Sequence, residues 1–181
     1  MSLLVFAVSP QRLGIPDLEF WSPDRQFGLK IPEEKIALLL AVCAQSTPHE
    51  TGGILIGFYT TARDCAVVTA ISRAPSDSQR GKAYFVRGVR GLQRWINYLW
   101  RRKHHYYLGE WHFHPGGLPS SSPTDVTQMK NIAKAVHYQC PEPILVIIGG
   151  DAPERWSVRA YVFPKSQGPI ELMKNSEVAG S

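Results

Sequence analysis

Residues Gly109–Asp125 read Gly-Glu-Trp-His-Phe-His-Pro-Gly-Gly-Leu-Pro-Ser-Ser-Ser-Pro-Thr-Asp. His112 and His114 stand two apart, so in an extended strand both imidazoles leave from the same side, about 7 Å apart along the chain. Pro115-Gly116-Gly117 then ends the strand and leaves the pair at a strand end facing a loop. Ser122-Pro123-Thr124-Asp125 reads as a helix start, with Ser as N-cap, Pro at the first helical position and an acid at the third, where it completes a capping box. Taken singly, each piece has an ordinary reading: a half-buried histidine pair, or a helix cap. Together they place two nitrogens and one rigidly held carboxylate near one point. A fourth tetrahedral position is left open, which marks a catalytic rather than a structural zinc site.

Working outward, the chain alternates helical and extended patterns. Residues 3–8 and 26–31 read as short strands. Pro32-Glu33-Glu34 opens a helix whose apolar positions Ile36, Leu39, Leu40 and Cys43 recur at helical spacing to about Gln45. Gly53–Tyr59 and Cys65–Ile71 form a hairpin, Ser72–Gly81 a loop, and Ala83–Val86 a further strand. Val89–Lys103 is an amphipathic helix, Tyr106–His112 a strand, His112–Ser121 a loop and Pro123–Tyr138 a helix. Ile144–Ile148 and Trp156–Phe163 close the series as strands. Hairpins mixed with crossovers predict an α/β (α+β) layer fold, a single mixed sheet flanked by helices. One domain is expected over 1–167, with its core at about 30–163, and residues 168–181 as a loose tail.

Composition narrows the function classes. Of the 181 residues 44% are hydrophobic and 19% charged, which is globular rather than disordered composition. No apolar run approaches the roughly 20 residues needed to span a bilayer, so no membrane partner is expected. Three scattered cysteines form no C-x-x-C pair and fit a reducing, cytoplasmic location. The net charge of +5 is partly concentrated in Arg101-Arg102-Lys103-His104-His105, read first as a helix C-terminus complementing the dipole. Nucleic acid is the lesser alternative.

Other H-x-H enzymes fit poorly. The metallo-β-lactamase pattern continues with Asp-His where Pro115-Gly116 stands, and a TIM barrel typically needs about 250 residues. The H-E-x-x-H helix and the P-C-x-x-C of nucleobase deaminases are absent. A general base is then needed. Upstream, His49-Glu50-Thr51-Gly52-Gly53-Ile54-Leu55-Ile56-Gly57 sets an acid at a helix-to-strand junction beside small residues. On its own Glu50 is an ordinary loop acid.

This set of residues resembles the JAMM (JAB/MPN) metallopeptidases, whose pattern is an upstream glutamate, then H-x-H-P, with seven residues between the second histidine and S-x-x-D. Glu50 heads Glu-Thr-Gly-Gly-Ile-Leu-Ile-Gly, His112-Phe113-His114-Pro115 matches, and the spacing on to Ser122 and Asp125 fits without a gap. The likeness spans roughly residues 30–163. Phe113 stands where eukaryotic members usually carry Ser or Thr, and its side chain should face away from the metal.

The resemblance implies an MPN (JAB1-like) fold, related in shape to cytidine deaminases, and one Zn2+ per chain on His112, His114 and Asp125. It also implies Glu50 as general base and Ser122 as hydrogen-bond donor to the oxyanion. The chain looks most like bacterial deconjugases encoded beside ubiquitin-like conjugation proteins or cyclic-nucleotide synthases in anti-phage operons. The implied partner is the C-terminal tail of a ubiquitin-like modifier or conjugated protein, lysine-linked to its target. Ser72–Gly88 reads equally as one wall of the tail's groove, with Arg80, Lys82 and Arg87 as substrate contacts, or as a solvated loop. The rival readings are a non-catalytic scaffold of the same fold and a basic nucleic-acid-binding module.

Overall fold

The computed structural model describes residues 16–175. The strand expected over residues 3–8 lies outside them. Among the described residues, eight strands close into one mixed sheet in the order β1 (Leu18–Trp21), β10 (Ile170–Lys174), β9 (Arg155–Val162), β8 (Ile144–Asp151), β7 (Tyr106–Pro115), β3 (Thr51–Tyr59), β4 (Cys65–Ile71) and β2 (Gly28–Ile31). Closure comes from β1 pairing with β2. Two of the junctions are parallel, β2 with β4 and β7 with β8, and the rest antiparallel. A separate hairpin, β5 (Gln79–Arg80) with β6 (Phe85–Val86), stands off this sheet.

Among the described residues three α-helices cover the sheet, and alternation along the central strands sorts the core in two. Leu39, Leu40 and Cys43 of α1 (Glu33–Ser46) share one core with Leu55, Val68, Trp111, Phe113 and Val146. The opposite face, with Ile54, Ile56, Leu145 and Ile147, packs against Leu92 and Leu99 of α2 (Leu92–Lys103) and Met129 and Ile132 of α3 (Pro123–Lys134). Covered on both sides, β3 and β8 read as nearly continuous apolar runs.

Several boundaries differ from expectation, each for a physical reason. The single sheet is closed, and residues 170–174 of the expected tail form β10, paired to both β9 and β1. Helix α2 starts at Leu92 because the amides of Val89 and Arg90 are taken by the Asp77 carboxylate and Gly91 sits at φ 82°. Helix α3 stops at Lys134. A 3-10 turn, Val136–Tyr138, then swings Tyr138 against Tyr107, ring centroids 5.2 Å apart. Strand β7 runs on to Pro115 because His114 and Pro115 pair with Gly149 and Gly150.

Arg101, Arg102 and Lys103 fill the last turn of α2, as dipole complementarity favours. They lie at the end of β7 remote from His112 and His114.

If β10 is a structural strand, truncating its buried Leu172, 3% exposed, costs stability. Leu172→Ala is expected to lower the unfolding free energy by about 2–3 kcal/mol in urea titrations. No change would mean that these residues are a loose tail.

Candidate metal centre

Strand β7 carries the centre, and its backbone explains the side-chain directions. Leu55 pairs with Gly109 and the next residue, Ile56, with Tyr107, so Leu108 is unmatched. This is a β-bulge, which resets the alternation of the strand. Gly109 makes it possible: its φ is 148°, and a Cβ there would collide with the backbone of Ile144. Beyond the bulge Trp111 and Phe113 enter the core beside α1, while His112 and His114 face α3.

The N-terminus of α3 brings Asp125 to the two histidines. Ser122 caps the helix, its Oγ accepting from the Asp125 amide at 3.1 Å, and both its amide and hydroxyl donate to Asp125 Oδ2 at 2.8 Å. With Oδ2 held, Oδ1 points at His112 Nδ1, 2.9 Å away. His114 Nδ1 faces the carbonyl of Leu118 at 3.2 Å, so as a donor there it leaves Nε2 with a free lone pair. One donor atom from each of His112, His114 and Asp125 lies within 4.8 Å of the others. Two imidazoles and a carboxylate at that spacing fit a small divalent cation with coordination to spare.

Charge balance supports the same conclusion. Burial opposes a charged His112, but hydrogen bonds and charge from Asp125 and Glu110 outweigh it and raise its pKa to about 9. Burial would raise Asp125, but His112 and Ser122 outweigh that and bring it down to about 2. The buried cluster thus favours positive charge between its carboxylates. Glu50 lies at the junction of α1 and β3, half-buried. Its pKa is raised, chiefly by burial; the two histidines pull it down and Asp125 pushes it up, so the carboxyl is electrostatically within the cluster.

Small residues beside Glu50 make the room. A Cβ on Gly52 would sit 2.7 Å from Phe85 and 2.9 Å from His112 Cδ2. The β5–β6 hairpin borders the centre: Gly81 O accepts from the Glu50 amide at 2.8 Å, and Phe85 meets the His112 ring edge-on at 5.6 Å. Arg80 and Lys82 on it are exposed. Arg87 departs from its expected place as a substrate contact. Its side chain is 6% exposed, and its guanidinium is taken by Glu110, the Gly88 carbonyl and Tyr138.

Glu110 is the residue that the motif reading passes over. Fully buried, it lies two before His112 on the same face of β7 and also binds Tyr107 and Gln128. A signal exists in the sequence, Glu-x-His-x-His at strand period. It is invisible as a buried acid until Arg87 is found beside it.

Four similarities to known proteins bear on this geometry. Residues 32–161 match the family of prokaryotic homologs of the JAB domain. The chain is 39% identical over 161 residues to a CD-NTase/cGAS isopeptidase of Enterobacter hormaechei, covering 89% of each chain. It is 28% identical over 137 residues to a probable metalloprotease of Sinorhizobium fredii, covering 73% of this chain and 81% of that one. A Desulfitobacterium hafniense protein solved in solution has the same fold, with a TM-score of 0.55 and 21% identity over 78% of this chain and 87% of that one.

The His112 pKa carries a pH signature. Because it rises from 6.5 to about 9 on folding, its stabilisation of the metal-free protein is complete below pH 6.5 and lost as pH climbs to 9. The loss is on the order of 3 kcal/mol, measurable by urea unfolding of chelator-treated protein. Metal uptake near neutral pH should correspondingly release about one proton, seen by calorimetry in buffers of different ionisation enthalpy.

Proposed function

The chain belongs to the prokaryotic JAB-domain family, and on that footing we propose that it is a zinc-dependent isopeptidase. Its substrate is a ubiquitin-like modifier, or a conjugated synthase, joined through its C-terminal tail to a lysine of a target protein. The observation that carries this reading is the convergence of His112, His114 and Asp125 on one point. The isopeptidase and metalloprotease names of the relatives support hydrolysis. The former relative's name also supports a conjugated nucleotidyltransferase as substrate; the setting we propose is the cytoplasm of a cell defending against phage.

A zinc ion held by these residues would supply Lewis acidity toward the scissile carbonyl and a water. The chain's own residues do the rest. Glu50 takes the water's proton as the oxygen adds to the carbonyl carbon, then returns it to the lysine amine as the C–N bond breaks. Burial favours that proton on the carboxyl. The Ser122 hydroxyl is engaged on Asp125 Oδ2, so stabilising the oxyanion requires it to turn from that oxygen, while the Ser122 amide keeps Asp125 in place. An extended tail fits along the β5–β6 hairpin by strand addition, within reach of Arg80 and Lys82. A thiol route is disfavoured. Burial pushes Cys43 and Cys140 up to about 12 and Cys65 to about 11, so all three stay protonated.

Glu50→Gln is expected to keep one zinc per chain and lose about 10²–10⁴-fold in cleavage of a modifier–reporter fusion. Activity near wild-type in the zinc-loaded variant would remove Glu50 as the base, and cleavage that persists after complete chelation would remove the metal.

A further inference from the structure

We propose that Glu110 is a positioning residue for the metal centre: its Oε2 accepts the Nε2–H of His112 and so commits Nδ1 of that ring to the cation. This rests on the reading of His112, His114 and Asp125 as the ligand set.

The two oxygens of Glu110 have different surroundings. Oε1 is saturated, accepting from Arg87 Nε at 2.9 Å, Arg87 Nη2 at 2.8 Å and the Tyr107 hydroxyl at 3.3 Å. Oε2 accepts from Gln128 Nε2 at 3.0 Å and keeps a lone-pair direction toward His112 Nε2, 3.8 Å away. On the other side of that gap, His112 Nε2 is the one buried side-chain nitrogen or oxygen without a hydrogen-bond partner among the described residues. An unused acceptor thus faces an unused donor.

Coordination decides which nitrogen carries the proton. A neutral imidazole has one N–H and one lone pair. His112 Nδ1 is the nitrogen turned to Asp125 Oδ1, so it must supply the lone pair, and the hydrogen falls to Nε2. That N–H is sealed from water and needs an acceptor. Closing the gap to the roughly 2.9 Å of a normal N–H···O bond takes about 1 Å of ring or carboxylate movement. His114 shows the complementary arrangement: the Leu118 carbonyl takes its Nδ1–H and leaves Nε2 for the metal. The two histidines would then bind through opposite nitrogens, each chosen by its own acceptor.

The groups that hold Glu110 come from separate elements. Arg87 follows the β5–β6 hairpin, Tyr107 lies on β7 and Gln128 on α3, the helix whose first turn presents Asp125. The same carboxylate therefore ties together the strand and the helix that supply the ligands. A purely structural role, as counter-ion for buried Arg87, predicts instead that removing both charges together leaves metal binding intact, since an apolar pair often replaces a buried ion pair at no cost in stability.

The test uses the full chain as wild-type, His112→Ala, and the double variants Arg87→Met/Glu110→Leu and Arg87→Met/Glu110→Gln, neither of which leaves a lone buried charge. Zinc affinity is read by competition with a chromophoric chelator, and unfolding of the metal-free proteins is read in parallel. The Leu variant is expected to remain folded and unfold cooperatively when metal-free yet bind zinc about 10–100-fold more weakly. Binding within about threefold of wild-type, a change too small for a lost carboxylate–histidine pair, overturns the proposal. Should the Leu variant not fold, the Gln variant decides. Its amide oxygen is the weaker acceptor, so about a tenfold loss is expected and an unchanged affinity overturns the proposal. If wild-type takes no zinc, or His112→Ala takes it equally well, the ligand reading itself fails and this inference falls with it.

Discussion

Strand β7 is hydrogen-bonded on both sides, antiparallel to β3 and parallel to β8, and its phase governs the rest of the molecule. With both edges paired it cannot slide, because a shift of one residue would exchange its two faces. The bulge at Leu108 sets that phase. Before it Tyr107 lies on the face covered by α2 and α3; after it Glu110 and His112 do, with Trp111 and Phe113 turned to the core beside α1. Without the extra residue, two large apolar side chains would face α3 and the histidines would enter the core. Gly109 is required because the bulge brings its backbone against that of Ile144.

Placing polar groups on a buried face creates a desolvation problem, which the structure answers by pairing. Glu110 is matched by Arg87, Tyr107 and Gln128, and Asp125 by Ser122 and His112. Each carboxylate has one oxygen committed to holding the framework and one turned toward the histidine between them. A helix cap and a contact to His112 thus coexist in Asp125, since the two oxygens divide the work. This arrangement holds one donor atom from each of His112, His114 and Asp125 within 4.8 Å of the others.

Much of this was legible from residue order. The helix start at Ser122-Pro123-Thr124-Asp125 follows from local capping chemistry, and the β3–β4 hairpin from apolar runs joined by a short polar turn. The ends of α2 and α3 were harder to read. A carboxylate thirteen residues upstream of Arg90 captures the amides before α2, and Tyr138 leaves the helical path after α3 for contacts with Tyr107 and Arg87. Strands β1 and β10 escaped for a related reason. Each is short, and their mutual pairing joins Phe20 to Lys174, a contact no local pattern announces.

The sequence by itself determined the three helices, the central strands and the set His112, His114 and Asp125, because strand alternation and helix capping are local and act over a few residues. Only the tertiary structure decided that the sheet closes, that Glu50 enters the electrostatic reach of the histidines, and that Arg87 is turned inward onto Glu110. Those outcomes depend on which strand lies beside which, and on where burial removes water. Both are set by packing between residues far apart in the chain.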